Sequence, residues 1–263
     1  KPFLHIEIDE HSADAGVMTR CEAFLDSIGH RTDAPVKKQN RLCRPVTISL
    51  SDRVVFIPSI SDHAYAVAAA FERAGIEAKV MPKPDQETVE RGLKYASGKE
   101  CYPCVITTGE ILKKVHSAGF EPARSAFIML SGSGPCRLGQ YSVFHRRVLD
   151  SLGLSEVPIF ALNQDVGLYS GLGNISDNFA LDIWKGLVAI DLLVKCLHET
   201  RPYEKKKGSS DELYEHHLKR LVNALQGSNV PIEDALQAIR NDYEALPIKA
   251  EKRPLIGIVG EAY

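Results

Sequence analysis

The chain has 263 residues, 44% of them hydrophobic and 25% charged, with a formal net charge of −2. Such a composition belongs to an ordinary globular protein with enough chain for one large domain or two small ones, and the near-neutral charge excludes a general binder of polyanions. Six cysteines in a chain of this size do not suggest a secreted disulfide scaffold, and with no export signal read at its start a cytoplasmic protein with reduced thiols is the expectation.

In chain order, residues 3–8 alternate as a strand does, and residues 15–28 follow with helical periodicity behind Ser12 as candidate N-cap. Val17, Cys21, Phe24, Leu25 and Ile28 share one face of that helix, so Cys21 is expected in the core. Residues 31–45 are polar, carry Pro35 and Cys43, and read as loop. Val54-Val-Phe-Ile57 is a buried strand, Ser61 and Asp62 are candidate caps for a helix over 63–74, and a strand at 77–81 and a helix at 86–95 come next. A helix is expected over 105–115, a strand over 126–130, a helix over 141–152 and a strand over 157–162. The alternation predicts an α/β fold with a Rossmann-like parallel sheet flanked by helices.

Residues 165–177 form a glycine-rich loop. Helices are expected over 178–199, 211–225 and 232–246. The first of these is the most apolar long segment, but Asp182, Lys185, Asp191 and Lys195 interrupt it, so it reads as a buried helix and not a membrane span. Cys196 falls on its apolar face and is expected in the core. Lys205-Lys-Lys207 beside Gly208 reads as a solvated linker, not a nucleic-acid patch. Residues 254–259 read as the first strand of a further α/β unit that the chain does not complete. The expected organisation is an entry segment over 1–50, a cysteine-bearing α/β domain over 51–165, a helical region over 166–250 and that last strand within 251–263.

The remaining cysteines carry the chemistry. Cys101-Tyr-Pro-Cys104 stands before a helix, and Ser131-Gly-Ser-Gly-Pro-Cys136 follows a strand. Loops of this kind meet at one edge of a parallel sheet, so Cys101, Cys104 and Cys136 are candidate metal ligands. Three thiolates with an open fourth position suit an iron–sulfur cluster of the [4Fe–4S] type. Structural zinc wants a fourth ligand, for which His63 and His145 are available. Thiol redox chemistry would use Cys101 and Cys104 alone and leave Cys136 unexplained. Around the site, the amides of Ser131, Gly132 and Gly134, the hydroxyls of Thr107 and Thr108 and the charge of Arg137 are candidates for tuning it, with a surface ion pair as the other reading of Arg137.

The runs Asp9-Glu-His-Ser-Ala-Asp-Ala-Gly16, Ser97-Gly-Lys-Glu-Cys-Tyr-Pro-Cys104, Thr107-Thr-Gly-Glu110, Ser133-Gly-Pro-Cys-Arg-Leu-Gly-Gln-Tyr141, Arg201-Pro-Tyr203 and Pro254-Leu-Ile-Gly-Ile-Val-Gly-Glu261 carry a resemblance. Together they resemble the C-terminal, dehydratase-like region of large activator proteins of the 2-hydroxyacyl-CoA dehydratase and benzoyl-CoA reductase system, which is related to the double-cubane cluster proteins. The resemblance implies an iron–sulfur module for low-potential electron transfer in ATP-driven reductive or radical acyl-CoA chemistry, in an anaerobic setting. It implies an ATPase activator domain or another electron donor as partner, with a homodimer as a further option and neither nucleic acid nor membrane. The chain has no candidate ATPase phosphate-binding region, and a double cubane would need more cysteines than three, from Cys43 or a second copy. Outside the resemblance, the same thiols would serve a non-redox binding or scaffold domain.

Overall fold

The computed structural model describes residues 4, 6, 14–29, 50, 52–132, 134, 136–163, 175–176, 178–228, 230–250 and 253–254. Most of the expected strands at 3–8 and 254–259, the loop at 31–45 with Cys43, and most of the loop at 165–177 lie outside them. The chain divides into two compact units, 1–47 and 48–263.

In the first unit a single helix, α1, spans Asp14–Gly29, close to the predicted bounds. Its apolar residues are less covered than expected: Leu25 is 65% exposed and Cys21 is half-buried, so Cys21 is not a core residue.

The second unit is an α/β fold, as the alternation predicts. Strands β1 (Val54–Ile57), β2 (Ala78–Val80), β3 (Ser125–Ser131) and β4 (Ile159–Asn163) form one parallel sheet in the order β2-β1-β3-β4. Helices α2 (Ala64–Arg73), α3 (Gln86–Leu93), α4 (Tyr102–Val115) and α5 (Tyr141–Ser151) lie between or after the strands. Both faces of the sheet are covered, which is why its central strands are continuous apolar runs. Val55, Ile57, Ala126 and Ile128 pack towards Phe71 of α2 and, through Phe179 and Ile183, a sixth helix, α6 (Phe179–Thr200). Phe56 and Phe127 face the other way, onto Ile111 of α4 and Leu149 of α5.

Helices α7 (Ser209–Leu225) and α8 (Ile232–Ala245) pack with α6 and α2 in a helical layer that belongs to the same compact unit as the sheet. Glu204 accepts the amides of Gly208 and Ser210 at 2.6 and 2.8 Å, satisfying free donors at the start of α7. Cys196 is half-buried against this layer and not enclosed by it. No helix among the described residues is long and apolar enough to cross a membrane.

Two local expectations are corrected. The start of α2 is held by backbone carbonyls of Ser61, Asp62 and His63 and not by a side-chain cap. Helix α4 begins at Tyr102, three residues before the predicted start, so Cys104 lies inside its first turn. Proline at a helix start costs no hydrogen bond, because the first amides have no helical partner, and Pro103 therefore extends the helix instead of delaying it.

Helices α3 and α4 approach so closely that their glycines touch backbone. A Cβ on Gly92 would lie 2.0 Å from the Val105 carbonyl oxygen, and one on Gly109 would lie 1.9 Å from that of Thr88. This contact sets where α4, and with it Cys101 and Cys104, stands against the sheet.

Candidate functional site

Cys101 is the extended N-cap of α4, and its carbonyl accepts the Cys104 amide at 2.9 Å. Free amides and the positive end of the helix dipole favour negative charge there. Cys104 is buried and packs with Met129 of β3 and Tyr141 of α5, with Cys101 at the edge of the same cluster. Cys136 is exposed and begins the 3-10 turn Arg137–Gln140 that leads into α5. All five cysteines among the described residues are free thiols.

The two cysteine loops are tied together. The Arg137 guanidinium donates to the carbonyl of Lys99, two residues before Cys101. Ser97 donates its amide and hydroxyl to the Glu100 carboxylate, closing the turn ahead of Cys101. On the other side Ser131 donates to the Gly139 carbonyl at 3.2 Å, and a Cβ on Gly139 would meet the Gly132 carbonyl oxygen at 1.9 Å. Ser131 and Gly132 thus fold the loop back on itself. Gly134 is open: a Cβ there would meet nothing within 4 Å.

The electrostatics centre on Tyr141. Burial pushes its phenol well above the ordinary range, a hydrogen bond with Cys101 adds to the shift, and all three thiols Cys101, Cys104 and Cys136 lie within electrostatic reach of it. Burial also pushes the Cys104 thiol up to about 11; the Thr108 hydroxyl and, more weakly, Arg137 oppose that shift, while Glu100 and Cys101 add to it. Cys104 is therefore protonated at neutral pH unless a positive centre binds it. Among the described residues no three His, Cys, Asp or Glu side chains are grouped as a metal-ion site as they stand.

Thr107 and Thr108 act mainly on backbone. Thr108 donates to the Cys104 carbonyl at 2.6 Å, and Thr107 lies 2.9 Å from the Pro103 carbonyl and 3.2 Å from that of Cys104. With its proton on a carbonyl, the Thr107 oxygen accepts from His145 Nε2 at 3.2 Å. That contact makes His145 the Nε2–H tautomer and leaves its buried Nδ1 without a protein partner. The ring is 1% exposed, and burial lowers its pKa to about 4. His145 thus supports the cysteine turn from behind. His63, the other candidate fourth ligand, is bonded to Ser61 and Asp191.

Sequence reading placed Tyr141 only at the start of a helix and missed that its hydroxyl meets Cys101. The signal was present: Tyr141 and His145 are four residues apart on α5, directly behind the Cys136 loop, and so share a face. It also missed Glu110 of α4. This carboxyl is 4% exposed and accepts the amide and hydroxyl of Ser59 at 2.9 and 2.7 Å. Its Oε2 has no protein partner, and burial raises its pKa.

Comparison with protein-family models, curated proteins and solved structures returns no match.

Proposed function

We propose that this protein is an iron–sulfur module in which Cys101, Cys104 and Cys136 hold a [4Fe–4S]-type cluster. What supports the reading is that Cys101 and Cys104 at the start of α4 and Cys136 ahead of the turn after β3 all act electrostatically on the Tyr141 phenol, two of them beside a helix N-terminus. The donor set is soft and suits iron–sulfur chemistry. Burial of Cys104 also favours a metal over bare thiol exchange, because a bound cation supplies the charge that deprotonates it. Bound there, such a cluster would supply one-electron chemistry at low potential.

The chain's own residues would then do the following. The amides at the start of α4 and the Tyr141 hydroxyl donate towards sulfur, Arg137 offsets thiolate charge while tying the loops, and His145 with Thr107 fixes the carbonyls under the turn. Following the resemblance in the cysteine motifs, the module serves ATP-driven reductive or radical acyl-CoA-type chemistry in the cytoplasm of an anaerobic cell, and receives its electron from an ATPase activator domain or another donor.

Iron and acid-labile sulfide analysis of anaerobically prepared protein tests this. The expected result is both elements together with visible charge-transfer absorbance, and loss of most of the iron in Cys101→Ser, Cys104→Ser and Cys136→Ser. Zinc in place of iron, or full iron retention in all three variants, would refute the cluster. For Arg137→Leu the expectation is a lower reduction potential at full iron content, because a nearby cation favours the more negative, reduced state. An unchanged potential would leave Arg137 only its tie to Lys99.

A further inference from the structure

A second hydrogen-bonded constellation stands at the carboxyl edge of the sheet. Between the end of β1 and the start of α2, Ser61 Oγ lies 3.1 Å from His63 Nδ1, and His63 Nε2 lies 2.8 Å from Asp191 Oδ1 on α6. An ionised carboxylate only accepts, so Nε2 carries a proton. In the neutral ring Nδ1 then presents its lone pair to the Ser61 hydroxyl. That is the protonation pattern of a base poised on a nucleophile and oriented by a third group. Asp191 reaches His63 from 128 residues away in the chain, so the ring is held between the loop and α6.

The surroundings supply a place for a substrate. Ser61 and His63 both line a cavity of about 180 Å³ whose walls include Ile57, Val67, Ile128, Leu162 and Ile183. The chain leaves β1 towards β2 on one side and returns to β3 on the other, so strand order reverses between β1 and β3. Open α/β sheets place ligands outside the strand ends at that point. An apolar cavity with a few polar groups at its rim is the usual form of a small-molecule site. Ser61 is exposed and therefore reachable.

We propose that Ser61, His63 and Asp191 form an acyl-transfer site for a small ester or thioester with an apolar acyl chain. The Ser61 oxygen adds to the acyl carbon while its proton passes to His63 Nδ1. The bond to the leaving oxygen or sulfur then breaks, and His63 returns the proton to that group. Water attacks the resulting Ser61 ester, giving its proton to His63; the acid departs, and the proton returns to Ser61. Ser61 and His63 are catalytic residues, and Asp191 is a positioning residue. The site is independent of the cysteines.

Alkyl fluorophosphonates of increasing chain length, applied to the whole chain and read by intact mass and peptide mapping, test the proposal. Expected are a single adduct on Ser61, a rate that climbs with chain length, no adduct in Ser61→Ala, and a loss of about a hundredfold in His63→Gln, the usual share of a general base. In Asp191→Asn the labelling rate should fall while Ser61 remains the labelled residue, because the ring loses the carboxylate that orients it. No adduct on Ser61, or Ser61 labelling that His63→Gln leaves unchanged, overturns the relay. A rate indifferent to chain length in the wild-type protein overturns the assignment of the cavity.

Discussion

Gly109→Ala is expected to lower the melting temperature by roughly 10 °C. The new methyl would sit 1.9 Å from the Thr88 carbonyl oxygen and 2.7 Å from its carbon, far inside van der Waals contact. Backbone cannot swing away as a long side chain does, so α3 and α4 must part. Overpacking of a close contact costs about 3 kcal/mol when the neighbour is rigid, and a domain of this size loses roughly 2–4 °C per kcal/mol. The Thr88 end of α3 has little freedom, because Asp85 accepts the Thr88 amide at 2.9 Å and Thr88 in turn accepts the Asp85 amide. Gly134→Ala is the control: nothing lies within 4 Å of its Cβ position, and its melting temperature should hardly change. Equal melting curves for Gly109→Ala and the wild type would refute the close helix contact.

Acid should weaken the fold through His145, well above the pH at which ordinary carboxylates are titrated. Its pKa is lowered by burial to about 4 from an ordinary 6.5. The folded state therefore binds fewer protons than the unfolded chain between those values. The contribution of the neutral ring to stability is complete above pH 6.5, falls as the pH drops towards 4, and levels off below. That gap corresponds to roughly 3 kcal/mol. Glu110 acts in the opposite sense, since its raised pKa relatively favours the folded state at lower pH, so the two must be separated by comparison with a variant. Urea unfolding at pH 7 and pH 4 should show the loss in the wild type and a markedly smaller one in His145→Gln. The same pH dependence in both proteins would show that the imidazole is not the responsible group.

The positions of β1 and β3, the helical stretches from α2 to α8 and the parallel character of the sheet were legible in the sequence, although β3 runs one residue further at each end than expected. Val54–Ile57 and Ala126–Leu130 are apolar without alternation, which only a strand covered on both faces tolerates. The alternation of such runs with helical periodicities leaves few topologies. Cys101, Cys104 and Cys136 were legible as candidates for the same reason, since short loops at strand and helix ends gather at one edge of a sheet. The depth of Cys21 and Cys196 was misjudged because periodicity names a helix face without saying what packs on it.

Helix periodicity, strand runs and the position of glycine and proline are local properties, and they are enough to specify an α/β unit with Cys101, Cys104 and Cys136 at or beside helix starts. Which side chains touch depends on the closed fold. That Tyr141 meets Cys101, that Thr107 takes His145 Nε2, that Ser59 holds a buried Glu110, and that Asp191 reaches His63 all follow from packing between segments distant in the chain. Burial is a sum over those neighbours, so the shifted protonation of Cys104, Glu110 and His145 exists only once the sheet and its covering helices have closed around them.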